Sequence, residues 1–294
     1  MAMELSVSEM QDWISCPQLW FWKWVLNRAV RRPGPALRAG LAVHACFEER
    51  LRSGDRPGID ADFAEAEPNL ARVLTAALGA WDRKYLDSEP PWTEIIAVEE
   101  PLRLQLTEEL ALVGRPDSIV RWQSGIWHVQ HKTTGQSTPV ATFAAGIRRS
   151  FHENLYGVLI ENAYPNERYM GTMLNVVRKL SMKRVDEDPN QALHMEFLPI
   201  PKAQRLQAVE SFRFYGKQIK SWRDELSGVN LRIIPQNREH CTGQYKNTLC
   251  SHFGPCENPE AIWQDEHYET YDPRSRYQAK PSKPSNGRSE SSPG

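Results

Sequence analysis

Between residues 94 and 134 three runs of β-branched and aromatic residues follow one another almost without pause: "EIIAVEEPLRLQL", "LALVGRPDSIVRW" and "GIWHVQHKTT". Charged or glycine-containing turns separate them, the pattern of consecutive strands. On both sides the apolar spacing reverts to that of helices. Upstream, residues 1–55 read as helical, opening at "SVSEMQDWISCPQLWFWKWV", where Ser6 or Ser8 can cap and Glu9 completes a capping box with Ser6. "FAEAEPNLARVLTAALGAWDRKYL" continues with Leu70, Val73, Leu74, Ala77 and Leu78 at helical spacing, interrupted at Pro68. Downstream come a helix over "ATFAAGIRRSFHENLYGVLIENAY", strands over "YMGTMLNVVRKL" and "LHMEFLPI", and a long amphipathic helix from Lys202. This order of elements implies an α/β fold, a mixed sheet flanked by helices.

The 294 residues suit one large domain with appendages. No apolar run approaches the roughly 18 residues a membrane span needs. "MAMELSVSEM" lacks the basic-then-apolar order of a signal peptide, so a cytoplasmic protein is expected. With a net charge of −1 the molecule is no polycation, and any nucleic-acid site must be a local basic patch. Arg178, Lys179, Lys183 and Arg184 in "NVVRKLSMKR" offer one at a strand end. Beyond residue 270 proline, serine and basic residues take over, which predicts a disordered basic tail over 271–294 behind a single domain of residues 1–270. Trp13, Trp20, Trp22 and Trp24 crowd into one short stretch and read as core packing rather than as a stacking platform for bases.

Five cysteines, Cys16, Cys46, Cys241, Cys250 and Cys256, are an odd set for a disulfide framework. Three of them cluster in "CTGQYKNTLCSHFGPC", and that clustering points to metal.

The chemistry concentrates in "GRPDSIVRWQSGIWHVQHKTT". Taken as a hairpin turning at "QSG", it brings Asp117 and Lys132 near one another at the strand ends. Hydrolysis of a phosphodiester needs a divalent cation held by acidic oxygens, and gains from a fixed positive charge near the attacking oxygen. Asp117 and Lys132 have the chemistry for those two tasks. "GLAVHACFEERL" adds Gly40 and His44 on a helix, and "SFHENLYGVLI" places His152 and Tyr156 four residues apart on one helical face.

This ordered series resembles the PD-(D/E)XK nucleases, and within them the RecB-like branch that includes the CRISPR adaptation nuclease, AddB-type enzymes and phage-encoded members. The resemblance covers roughly residues 6–258, with the nuclease core at about 36–200. It implies a restriction-endonuclease-like sheet, a Mg²⁺ or Mn²⁺ ion held by His44, Asp117, Gln130 and the main-chain carbonyl of His131, and Lys132 assisting the nucleophile. His152 and Tyr156 fall on the family's Gln-x-x-x-Tyr helix. The partner implied is DNA, as a single strand or duplex end, with room for protein partners in a recombination, repair or phage replication complex.

The resemblance also implies an iron–sulfur cluster of the 4Fe-4S kind on Cys16, Cys241, Cys250 and Cys256. Cluster-binding segments at about 10–30 and 236–260 would bracket the core, and Cys46 is left as a core residue. The spacing of the last three cysteines is equally that of CCCH zinc fingers, which bind RNA. Glu260 stands where that pattern has histidine, though His252 could complete a zinc site. The chain departs from the nuclease pattern at Gln130, which stands where the family has its second acid. An amide oxygen can coordinate a metal but brings no charge, so weaker binding is expected unless Glu48, Glu99 or Glu100 supplies it. The alternative reading is a DNA-binding protein of nuclease fold that no longer cleaves.

Overall fold

The computed structural model describes residues 2–31, 34–88, 90–135, 137, 139–225, 235–237, 252, 255–256, 268–271 and 273–275. The chain opens with strand β1 (Met3–Ser6) and helix α1 (Val7–Ser15). Helix α2 (Pro17–Trp20) then runs into a π-helical turn at Phe21–Val25, and β2 (Arg28–Val30) follows. Three helices come next: α3 (Pro35–Ser53), α4 (Ala61–Ala66) and α5 (Pro68–Tyr85). Pro68 thus divides two helices, at the first position of the second, where its missing N–H costs nothing.

The first two strand-like runs each break in the middle. They give β3 (Glu94–Val98) and β4 (Leu102–Gln105), then β5 (Leu110–Gly114) and β6 (Ser118–Trp122). Pro101 and Pro116 sit in the gaps, and neither can donate to a ladder. The strands therefore change sheets at these points. β4 and β5 join β1 in a three-stranded sheet of order β1-β5-β4. β3 and β6 continue into a five-stranded sheet, β3-β6-β7-β8-β9, with β7 (Gly125–Gly135), β8 (Tyr169–Lys179) and β9 (Leu193–Pro199). This larger sheet is mixed: β7 and β8 are parallel and its other neighbours antiparallel. Parallel strands need a crossover, supplied by α6 (Val140–Arg149) and α7 (Phe151–Ala163). Helices α8 (Met182–Glu187) and α9 (Lys202–Glu225) and strand β10 (Tyr268–Thr270), paired with β2, complete the fold.

Alternation along β7 sorts its side chains between two layers. Trp127, Val129 and His131 face α3 and α5, where Phe47, Leu74, Leu78 and Trp81 build one core. His128, Gln130 and Lys132 face the α6–α7 side, with the His128 ring 5.1 Å from that of Tyr156. A buried ion pair ties α3 to α5: Arg50 meets both carboxylate oxygens of Asp82, at 2.7 and 3.0 Å. The second core gathers Trp13, Trp20, Trp22 and Trp24 with α7 and α9, so the tryptophan stretch is interior packing.

The wholly helical reading of residues 1–55 needs correction. β1 adds in parallel to β5, and β2 pairs with β10, a partner far along the chain that local periodicity cannot reveal. The capping box is also only half formed. Ser6 Oγ accepts the Glu9 N–H at 3.0 Å, but the Glu9 side chain turns inward. Fully buried, it accepts from Trp20 Nε1 at 3.0 Å and pairs with Arg223 of α9 and with Arg274. Arg274 also reaches the Trp24 carbonyl, so this residue lies against the N-terminal core.

Candidate active site

The breaks in the two strand runs lie side by side, and the candidate site forms there. Glu99, just past β3, donates its N–H to the Asp117 carbonyl at 3.0 Å. Its φ of 53° is left-handed, a conformation that costs a non-glycine residue of order 1 kcal/mol and is found preferentially at functional positions. Asp117 lies in the matching gap before β6, and its Oδ2 accepts the His131 N–H at 2.8 Å. From α3, His44 brings Nδ1 to 3.5 Å from the same oxygen. One ligand atom each of His44, Glu99 and Asp117 fall within 4.8 Å of one another. An imidazole nitrogen and two carboxylates suit Mn²⁺ or Mg²⁺, so the residues present fit the expected ion.

Of the three acids expected to supply charge, Glu99 lies at this cluster. Glu48 instead pairs with Arg52 at 2.9 Å, and Glu100 accepts from the Tyr164 hydroxyl at 3.3 Å. Burial, and then the neighbouring Asp117 carboxylate, push the Glu99 carboxyl up to about 7, against the pull of Arg115, whose Nε lies 2.6 Å from it. Asp117 goes the other way. Burial opposes its charge, but His44 and Lys132 together hold it below the ordinary aspartate range. The two adjacent carboxyls are thus shifted in opposite directions, Glu99 upward by burial and by Asp117, and Asp117 downward by His44 and Lys132.

Gln130 is buried on β7, and its Oε1 has no hydrogen-bond donor among the described residues. The His131 ring stacks on Phe47 at 4.2 Å, and its Nδ1 meets Asn175 at 2.8 Å. Burial depresses its pKa to about 3, so the ring is neutral and packs rather than titrates. Its backbone is what faces the site: the N–H points at Asp117, and in a strand the carbonyl of the same residue points the same way. Lys132 follows on the Gln130 side, near enough to Asp117 to stabilise its charge.

His152 and Tyr156 share a face of α7 with rings 4.7 Å apart, and the Tyr156 hydroxyl donates to the Arg115 carbonyl at 3.2 Å, bracing the break. Gly114 lets α7 come this close. A Cβ there would stand 2.6 Å from Leu159 Cδ1 and 2.9 Å from Tyr156 Cε1.

Sequence reasoning missed Glu153 and His128. Glu153 is fully buried, and its carboxylate meets His128 Nδ1 and His152 Nδ1 at 3.2 Å each and accepts from Thr172 Oγ1 at 2.9 Å. Burial opposes its charge, yet His128 and His152 hold its pKa well below the ordinary glutamate range. The contact ties each ring by Nδ1 and leaves Nε2 as the nitrogen not held by the carboxylate. The available signal was Ser150 three residues ahead of Glu153, which reads as a capping box. Ser150 Oγ does accept the Glu153 N–H, at 3.1 Å, but the carboxylate again turns inward.

Of the cysteines, Cys46 is a buried core residue, as expected. Cys16 sits buried between α1 and α2, and its Sγ accepts the Asn237 N–H at 3.4 Å. Gln18 donates to the Pro235 carbonyl and Gln236 to the Cys256 carbonyl, so residues 235–237 bridge from Cys16 to Cys256. Cys241 and Cys250 lie outside the described residues. His252 is buried with Nε2 3.3 Å from the Arg28 carbonyl, and burial lowers its pKa to about 4. In the basic strip, Arg178 and Lys179 are half-buried at the end of β8, and Lys183 and Arg184 are exposed on α8.

A sheet that hands two strands to a neighbour, with acids in the gap and a lysine on the next strand, is the frame of a phosphodiester-cleaving fold. The model of the PD-(D/E)XK nuclease superfamily matches residues 4–252, and the chain belongs to that superfamily. A solved structure named "Putative exonuclease", from Eubacterium rectale, is similar at 11% identity with a TM-score of 0.46, over 85% of this chain and 91% of that one. No curated protein matches the chain. No helix among the described residues is long and apolar enough to cross a membrane.

Proposed function

We propose that the chain is a divalent-metal-dependent DNA nuclease of the RecB-like branch, in which Glu99 replaces the charge that Gln130 lacks. The observation that carries this reading is the convergence of His44, Glu99 and Asp117. Mg²⁺ or Mn²⁺ bound there would neutralise the scissile phosphate and activate water. Asp117 holds the site from one side, fixed by the His131 N–H, and Glu99 from the other, fixed by Arg115. Gln130 Oε1 and the His131 carbonyl are further oxygen donors. Lys132 orients the attacking water and offsets the charge developing on the phosphate. His152, tied through Nδ1 to Glu153, leaves Nε2 to meet the DNA. The substrate is a single strand or a duplex end, in a cytoplasmic recombination, repair or phage replication complex.

In the same reading Cys16, Cys241, Cys250 and Cys256 hold an iron–sulfur cluster, which joins the two ends of the chain. The bridge of residues 235–237 between Cys16 and Cys256 supports this, and a zinc finger would have no use for Cys16. A second reading, a nuclease fold that binds DNA without cutting it, draws on the uncharged, buried Gln130.

Cleavage of labelled DNA separates the two. The intact chain should cut with Mn²⁺ better than with Mg²⁺, Gln130→Glu should raise the rate with either ion, and Asp117→Asn should abolish it. If neither the intact chain nor Gln130→Glu cuts but both bind DNA in a salt-sensitive way, the second reading holds.

A further inference from the structure

Glu153 is fully buried on α7 and stays ionised there, held by three groups. His152 Nδ1 reaches Oε1 at 3.2 Å, while His128 Nδ1 at 3.2 Å and the Thr172 hydroxyl at 2.9 Å reach Oε2. An ionised carboxylate only accepts hydrogen bonds, so both imidazoles carry a proton on Nδ1. A neutral ring in that state has a bare lone pair on Nε2. The two rings differ in what this nitrogen can reach. The His128 side chain is 1% exposed, and its Nε2 is buried without a partner among the described residues. The His152 side chain is 26% exposed. Burial draws its pKa down and so keeps the ring neutral, and the Glu153 carboxylate opposes that pull.

The more open ring stands at the lysine end of the sheet. The crossover leaves β7 at Gly135 and comes back along α7 to β8, so α7 runs opposite to β7 and its first turn lies toward Lys132. Tyr156 marks the register: its ring packs on His128 at 5.1 Å, and His152 is one turn nearer that end. Lys132 is near enough to bear on the charge of both His152 and Asp117, and Tyr156 holds the carbonyl of Arg115, two residues before Asp117.

We propose that His152 is the general base of the cleavage reaction and that Glu153 is the positioning residue that makes it one. The proposal rests on the nuclease reading and supplies its proton acceptor. Water that attacks phosphorus must give up a proton, and a lysine ammonium has no lone pair with which to take it. As the water oxygen bonds to phosphorus, that proton passes to His152 Nε2. The bond from phosphorus to the leaving oxygen breaks, and the leaving oxygen takes up a proton from solvent. Glu153 fixes the ring with its lone pair on Nε2 and stabilises the imidazolium that forms. Lys132 keeps its place beside the water and the phosphate as the fixed positive charge.

Nitrogen NMR of the metal-free, histidine-labelled chain tests the tautomer, with His152 assigned by its loss in His152→Gln. The neutral ring should carry its proton on Nδ1. A ring protonated on Nε2 overturns the proposal, whether or not any Glu153 variant folds. The single-turnover rate of DNA cleavage between about pH 5 and about pH 8 tests the role, at Mn²⁺ high enough to keep Glu99 ionised throughout. Besides Glu153, the groups acting on His152 are His128 and Lys132 of β7 and Tyr156 of its own helix, and all three stay unchanged. The intact chain should speed up with pH and then level off. His152→Gln can hydrogen-bond but cannot take a proton, so it should be at least about a hundredfold slower and should not level off. Glu153→Gln should level off at lower pH, because the carboxylate that favours the charged ring is gone, and should be about ten- to a hundredfold slower. Glu153→Asp should recover part of both. A Glu153→Gln chain that is slower with an unmoved profile has lost only structure, and that outcome overturns the positioning role. A His152→Gln chain that cuts with the intact profile overturns the base and leaves the nuclease reading standing. An intact chain that does not cut at all overturns both.

Discussion

At the scale of single residues, the pairing of Glu99 with Asp117 governs how the site responds to pH. A glutamate raised from 4.5 to about 7 holds its proton more tightly in the folded chain than in the unfolded one. Its contribution to stability is therefore greatest below the unfolded value and is lost as pH rises through the folded one. In the absence of divalent ions, the urea midpoint of the intact chain should decline relative to that of Glu99→Gln between about pH 5 and about pH 8. Metal binding has the opposite sign, because it needs the carboxylate. Calorimetric affinity for Mn²⁺ should rise across the same window and release a proton, and Glu99→Gln should lose most of that dependence. A midpoint difference that is constant with pH would mean that Glu99 does not titrate there.

At the scale of elements, the site depends on how closely α7 approaches the break between β5 and β6. Gly114→Ala would drive a methyl group into Leu159 and Tyr156, both buried. Thermal or urea unfolding should show a loss of about 1–3 kcal/mol. The hydroxyl of Tyr156 should also leave the Arg115 carbonyl, so cleavage should fall further than stability alone explains. Activity that merely tracks the folded fraction would contradict that bracing role. This level is also where the sequence was least legible. The strand runs were visible, and so were Asp117, Lys132 and the helix carrying His44, because each depends on neighbours a few residues away. The exchange of strands between two sheets was not, since it is decided by pairing with β1, which local pattern does not mark. The Ser6–Glu9 capping box was misread for a related reason, and Ser150–Glu153, which was not singled out, follows the same pattern. Glu9 and Glu153 each occupy the position of a capping acid, but tertiary partners, Arg223 with Trp20 and His128 with His152, draw the carboxylates inward. Glu99 could be named only as one of three acids able to stand in for Gln130. Of these, Glu99 lies beside His44 and Asp117, on a left-handed backbone between β3 and β4.

For the whole molecule, the chain ends matter as much as the core. Arg28 holds Thr270, Arg274 reaches the Trp24 carbonyl in the N-terminal tryptophan core, and Asn237 donates to Cys16 in the same N-terminal segment. On the cluster reading, iron closes a loop of more than two hundred residues between Cys16 and Cys241. Anaerobically purified protein should be brown with about four irons per chain, and Cys16→Ser should lose the iron and a few kcal/mol of stability. Cys46→Ser should keep the iron. Colourless protein with one zinc, unaffected by Cys16→Ser, would transfer the C-terminal cysteines to a zinc site.

The account as a whole stands on Glu99 completing a metal centre that Gln130 leaves short of charge. The initial rate of Mn²⁺-dependent DNA cleavage, compared between the intact chain and Glu99→Gln, tests this most directly. Loss of an acidic ligand from such a centre should lower the rate at least about a hundredfold, with folding unchanged by circular dichroism. Cleavage by Glu99→Gln at the intact rate would contradict the account, and so would an intact chain that does not cleave at all.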